Sequence, residues 1–164
     1  MPTNAIVREV EEIISLLESH GQTLSTAESI TGGGLGAVIT SMAGASKIYR
    51  GGVIAYSNGA KEDILGVAPS LIDTHGVVSE EVAIAMAQGA AQKFSSTWAI
   101  ATTGVAGPGP SEGVAQGSVW VSISGPIVQS TFLELDGDRQ SVQNATIASA
   151  ISAFARILRT SINA

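Results

Sequence analysis

Cysteine is absent from the sequence. That excludes disulfides, thiolate nucleophiles and cysteine-ligated zinc. Aromatic residues make up only 4% of the chain, so the core must be built from Ala, Val, Ile and Leu, with helices packed close on a sheet. Charge is scarce as well. Asp, Glu, Lys and Arg together are 13%, against 45% hydrophobic residues, which is the balance of a folded chain rather than a disordered one. With eight basic residues and a formal net charge of −6, the chain lacks the positive footprint that a nucleic-acid binder needs. No His or carboxylate cluster has metal-ligand spacing, so no metal is expected. No run of residues reaches transmembrane length and the N-terminal stretch has no apolar signal core. The expectation is a cytoplasmic protein that does not engage membranes.

What the sequence does contain is regular. Its 164 residues suit one domain, 1–164. Val7, Val10, Ile14 and Leu17 recur at helical spacing and predict a helix over 4–20, stopped at Gly21. Residues 23–27 and 50–57 read as strands, with a Gly- and Ala-rich helix over 31–42 between them. Short helices are expected around Ile64 and Leu65 and over 70–74. Ser79 is placed to cap a helix whose first turn carries Glu80 and Glu81 and whose inner face carries Val82, Met86 and Ala90. Residues 97–103 form a buried, β-branched strand. Strands over 118–124 and 127–135 are joined at Gly125-Pro126 as a hairpin. Gly137-Asp138 opens a last helix striped by Ile147, Ile151, Phe154 and Leu158. Five strands with interspersed helices predict a three-layer α/β/α fold on a mixed, mostly parallel sheet.

In such sheets ligands bind beyond the carboxyl ends of the parallel strands. Three loops there carry polar groups: Glu28 to Gly34, Tyr56 to Lys61, and Thr102 to Gly109. In the first, glycines after Ser29 let backbone amides approach an oxyanion or phosphate. Ser29 reads either as a nucleophile beside an oxyanion hole or as an ordinary helix cap. A nucleophilic serine needs a base. His20, His75 and Lys61 are the candidates, and the residues alone do not choose among them. His20 ends a helix, His75 precedes a glycine, and Lys61 serves as a base only if its pKa is depressed. The glycines of the third loop match neither a Walker motif nor a dinucleotide fingerprint.

Taken in order, Thr26-Ala27-Glu28-Ser29 with Thr31-Gly32-Gly33, the run from Tyr49 to Asn58 with Lys61, and Leu65-Gly66-Val67 resemble the CinA C-terminal domain family. So do the run from His75 to Ala83, Thr103-Gly104-Val105-Ala106-Gly107-Pro108, Gly117-Ser118-Val119-Trp120 and Gly137-Asp138-Arg139. The resemblance covers nearly the whole chain and implies a stand-alone amidase domain. The implied activity is hydrolysis of nicotinamide mononucleotide to nicotinic acid mononucleotide and ammonia, with no metal or organic cofactor. Carried over by motif, Ser29 is the nucleophile, Lys61 the base and Tyr56 a supporting hydroxyl. Glu28, Thr31, Gly32, Gly33, Asn58, Thr103, Gly104, Gly107 and Arg139 are the implied substrate-binding positions. The implied partner is a small-molecule nucleotide, and the low charge is compatible with a homodimer or higher homo-oligomer.

Besides Gly59, which stands where an acidic or polar residue is frequent in the family, two departures stand out. The family usually continues Gly-Pro with more glycines, where this chain has Gly109-Pro110-Ser111-Glu112-Gly113. An arginine, a natural phosphate contact, is usual where this chain has Gln143. An alternative reading follows from the second: a regulatory or nucleotide-binding relative with weak turnover, in keeping with the family's competence and damage-inducible label.

Overall fold

The computed structural model describes residues 2–163. Helix α1 spans Asn4–Ser19, with the Thr3 hydroxyl accepting from the Ile6 amide as its cap. Ile6, Val10, Ile13, Ile14 and Leu17 form its buried stripe. Strand β1 is Leu24–Glu28, helix α2 Gly34–Thr40, and a 3-10 turn at Ala45–Lys47 leads into β2, Tyr49–Ile54. Helices α3 (Asn58–Asp63), α4 (Pro69–His75) and α5 (Glu80–Phe94) precede β3, Trp98–Gly104. Strands β4 (Ser118–Ser124) and β5 (Gln129–Glu134) and helix α6 (Arg139–Ile162) complete the order.

The sheet order is β2-β1-β3-β4-β5. β1 pairs parallel with β2 and β3, while β3–β4 and β4–β5 are antiparallel. Four of the five strands therefore point the same way, although the neighbouring pairs divide evenly between the two kinds. Alternate residues of each strand face opposite sides. Leu24, Trp98, Ile100, Val119, Val121 and Ile123 pack with α1, α2 and α6. Ala27, Ala99 and Ala101 pack with α3, α4 and α5. Helices thus cover both faces, as expected for three layers. The second face is built of small side chains, which draws α5 in close. A Cβ at Gly89 of α5 would stand 2.0 Å from the Leu65 carbonyl oxygen, so only glycine permits that approach.

Helix α2 is shorter than the 31–42 expected. Gly32 and Gly33 take φ +57° and +96°, so the chain turns before the helix can start. After β1 the chain crosses to β2 by way of α2. It then returns by way of α3 to α5 to place β3 on β1's other side. The crevice at the carboxyl ends of β1 and β3 is a topological switch point, where open α/β sheets bind ligands.

Candidate active site

The end of β1 carries two adjacent polar residues on opposite sides of the sheet. Glu28, 2% exposed, faces α2. Its carboxylate accepts from the Thr31 hydroxyl (2.6 Å) and the Leu35 amide (2.8 Å) through one oxygen. The other accepts from the Gly36 amide (3.0 Å). Those amides belong to the first turn of α2 and would otherwise be unpaired, so Glu28 caps a helix that its own strand leads into. Thr31 donates its proton to Glu28 and accepts from Thr102 at 2.8 Å. Glu28 and Thr31 therefore hold the loop to the strand ends from beneath.

Ser29 faces the other way, towards α3. Its amide donates to Thr102 O at 2.9 Å and extends the parallel ladder by one step. Beside it, the Ala55 amide donates to Glu28 O at 2.8 Å, so β2 delivers Ala55 next to Ser29. Ser57 then caps α3, its hydroxyl accepting from the Ala60 amide. Lys61 lies one turn beyond that cap. Side chains on a helix lean back towards its N-terminus, which aims Lys61 at Ala55 and Ser29. Lys61 Nζ lies 3.1 Å from Ser29 Oγ and donates to Ala55 O at 2.9 Å.

Lys61 is 1% exposed and Ser29 8%. None of the three ion pairs among the described residues involves Lys61. Burial lowers the Lys61 pKa below its ordinary 10.5, since nothing of opposite charge offsets the lost hydration. The arrangement is a serine hydroxyl in contact with an amine biased towards its neutral, proton-accepting form.

Ser29 and Lys61 border a cavity of about 600 Å³. Tyr56, Asn58, Gly104, Gly107 and Arg139 also line it. Arg139, at the start of α6, donates to Gly107 O (2.6 Å) and to the Tyr56 hydroxyl (2.7 Å), tying two walls together at the surface. Tyr56 is thus bonded to Arg139, not to Ser29 or Lys61. His75 lines the cavity too, with Nδ1 3.6 Å from Glu81 Oε1.

Glu28, Thr31, Gly32, Gly33 and Thr103 do not reach the cavity wall. Gly32 donates its amide to Ser29 O at 3.1 Å, closing the turn. Thr103 is fully buried and donates to Val77 O at 2.9 Å, which holds the His75 to Val78 wall in place. Gln143 also lies outside the lining, its side-chain amide donating to Ile30 O at 3.0 Å and fastening α6 to the Ser29 loop. Val77, Val78, Pro110 and Glu112, which are not among the positions expected from the sequence, also line the cavity. The Gly-Pro density of 104–113 was the available signal for the last two. Among the described residues no helix is long and apolar enough to cross a membrane, and no group of three or more His, Asp and Glu side chains could hold a metal ion.

Comparison with known proteins gives a consistent result. The family model described as the CinA C-terminal domain matches residues 7–158. A CinA-like protein of Parasynechococcus marenigrum is 44% identical over 150 residues, covering 89% of this chain and 36% of that protein. One from Chlorobium luteolum is 48% identical over 138 residues, covering 79% and 32%. This chain therefore spans about a third of the length of the curated relatives it matches. The crystal structure of the competence/damage inducible protein CihA from Agrobacterium tumefaciens superposes with a TM-score of 0.90 at 31% identity, covering 100% of this chain and 99% of that one.

Proposed function

The chain belongs to the CinA C-terminal domain family, and from that premise we propose that it is a cytoplasmic amidase. Its substrate on this reading is nicotinamide mononucleotide, which it converts with water to nicotinic acid mononucleotide and ammonia. The observation that carries the reading is the 3.1 Å contact between Ser29 Oγ and a buried Lys61 amine with no carboxylate partner.

A primary amide is a weak electrophile with a poor leaving group, and dividing its hydrolysis into acylation and deacylation lowers each barrier. Neutral Lys61 takes the Ser29 proton as Oγ forms a bond to the amide carbon. The amide of Ile30, the residue that follows the nucleophile on the cavity wall, is the main-chain donor assigned to the oxyanion on this reading. Collapse of the tetrahedral adduct breaks the C–N bond, and the Lys61 ammonium gives its proton to the departing ammonia. The amine, neutral again, takes a proton from water as the hydroxide oxygen attacks the acyl ester. Cleavage of the Oγ–carbon bond then returns the proton to Ser29. The Ala55 carbonyl holds the amine in place throughout. Arg139 is the one arginine on the cavity wall and suits the substrate phosphate.

The test is ammonia release from nicotinamide mononucleotide by purified protein. The wild type is expected to turn over, and Ser29→Ala to lose about a thousandfold or more while still binding. A wild type that binds the nucleotide and releases no ammonia would replace the amidase by a ligand-binding relative.

A further inference from the structure

One wall of the cavity is a two-residue hairpin tip. Ser111 and Val114 exchange both backbone hydrogen bonds, at 3.0 and 2.9 Å. The two residues between them, Glu112 and Gly113, both take positive φ, +49° and +77°. A turn of that shape favours Asn, Asp or Gly at its first central position, because a longer side chain there crowds the backbone. Glu112 is one of only two non-glycine residues with positive φ among the described residues, and it lines the cavity.

It is also the sole carboxylate on that wall. The other ionisable groups lining the cavity besides the Tyr56 phenol are Lys61, Arg139 and His75, all basic, and the nearby Glu81 is turned to His75. None of the three ion pairs among the described residues includes Glu112. Glu112 is exposed at the cavity rim, and an unpaired carboxylate kept there in a costly backbone conformation is a reason to look for a ligand of opposite charge. A cavity holding only basic groups would repel such a ligand, and low-dielectric walls strengthen the field that reaches it. The apolar residues around the hairpin, Val77, Val105, Pro108 and Val114, supply such walls.

We propose that Glu112 is a specificity-determining residue that selects substrates whose ring is positively charged, an N-substituted pyridinium carboxamide, over uncharged amides of the same shape. The inference rests on the amide-hydrolysing reading of the same cavity and adds what the site demands of the substrate's charge. Glu112 takes no part in the chemistry. It sets affinity through the Coulomb attraction between its carboxylate and the ring.

Two probes isolate the charge: nicotinamide mononucleotide and its dihydro form, which keeps the phosphate, ribose and carboxamide but has a neutral ring. Their dissociation constants are measured on Ser29→Ala protein, which does not turn over, with Glu112 intact or replaced. With Glu112 present the charged form binds about two- to fivefold tighter, the scale of an exposed charge pair. In Glu112→Gln the preference falls to near parity. Glu112→Gly loses it too, although this variant relieves the backbone and melts higher. A preference that is unchanged by Glu112→Gln, or that is lost only in Glu112→Gly, overturns the proposal in favour of a purely conformational role. Ammonia release by the wild type is scored separately. Its absence would remove the amidase reading, whereas the affinity ratio judges charge selection by itself.

Discussion

Glu28 ends β1 and Lys61 sits on α3 beyond β2; both are sealed, one on each face of the sheet, and their burial is resolved in opposite ways. Glu28 receives three donors, two of them amides of a helix start, and so is fully hydrogen-bonded in a structural role. Lys61 receives one carbonyl and one hydroxyl and no countercharge. A buried charge is costly unless it is paired and hydrogen-bonded. At Glu28 the fold supplies partners. Where it withholds a countercharge, the group is driven towards its neutral state, which for an amine is the reactive one. Adjacent positions at one strand end, Glu28 and Ser29, are assigned to these two sides by the alternation of side chains alone.

The comparison predicts that the two sites break differently. Lys61→Met removes the amine and keeps most of the length, so turnover of nicotinamide mononucleotide should fall about a thousandfold with the fold intact. Lys61→Arg should fail equally, because a guanidinium holds its proton at working pH. Near-normal activity in folded Lys61→Met would transfer the base role to His75. Glu28→Ala should instead cost stability, about 3 kcal/mol, because it orphans the Leu35 and Gly36 amides and the Thr31 hydroxyl. Melting temperature reads this out. A Glu28→Ala protein that melts like the wild type would remove the structural half of the contrast. The smallest effect belongs to the rim. Arg139→Ala should raise the Michaelis constant about tenfold, the worth of one charge-assisted hydrogen bond, and leave kcat nearly unchanged. A loss confined to kcat would place Arg139 in the chemistry instead.

Much of the architecture was legible because it depends on local periodicity. Val10, Ile14 and Leu17 of the expected stripe and the Ser79 cap lie where the pattern placed them, although Val7 is only half-buried; the β4–β5 hairpin forms too, with β5 starting at Gln129 rather than 127. The start of α2 was not legible, because the sign of φ at Gly32 and Gly33 decides it and glycine adopts either. The role of Glu28 was hidden for a related reason: its carboxylate oxygens meet amides seven and eight residues later, in a turn whose shape was unknown. The Ser29–Lys61 contact bridges 32 residues and the Tyr56–Arg139 contact 83. No periodicity reaches that far. The first pairing was named from the family resemblance, whereas the second pairing emerges only once α6 and the β2 end meet at the cavity mouth. Gln143, noted in the sequence for the arginine it replaces, lies on Ile30 O outside the cavity lining.

The contrast between the two buried ionisable groups turns on the protonation of Lys61, and that can be titrated directly. Selective isotope labelling of lysine, with Lys61→Met assigning the resonance, gives the pKa of this one amine by NMR. Burial lowers it below 10.5. Between the lowered value and 10.5 the unfolded chain binds more protons than the folded one, so stability relative to Lys61→Met rises with pH through that window and falls again as the pH is brought back down to the folded value. The account predicts a Lys61 titration below 10.5, coincident with the rising limb of kcat/KM against pH. A Lys61 that titrates at or above 10.5, with the same activity profile, would contradict it.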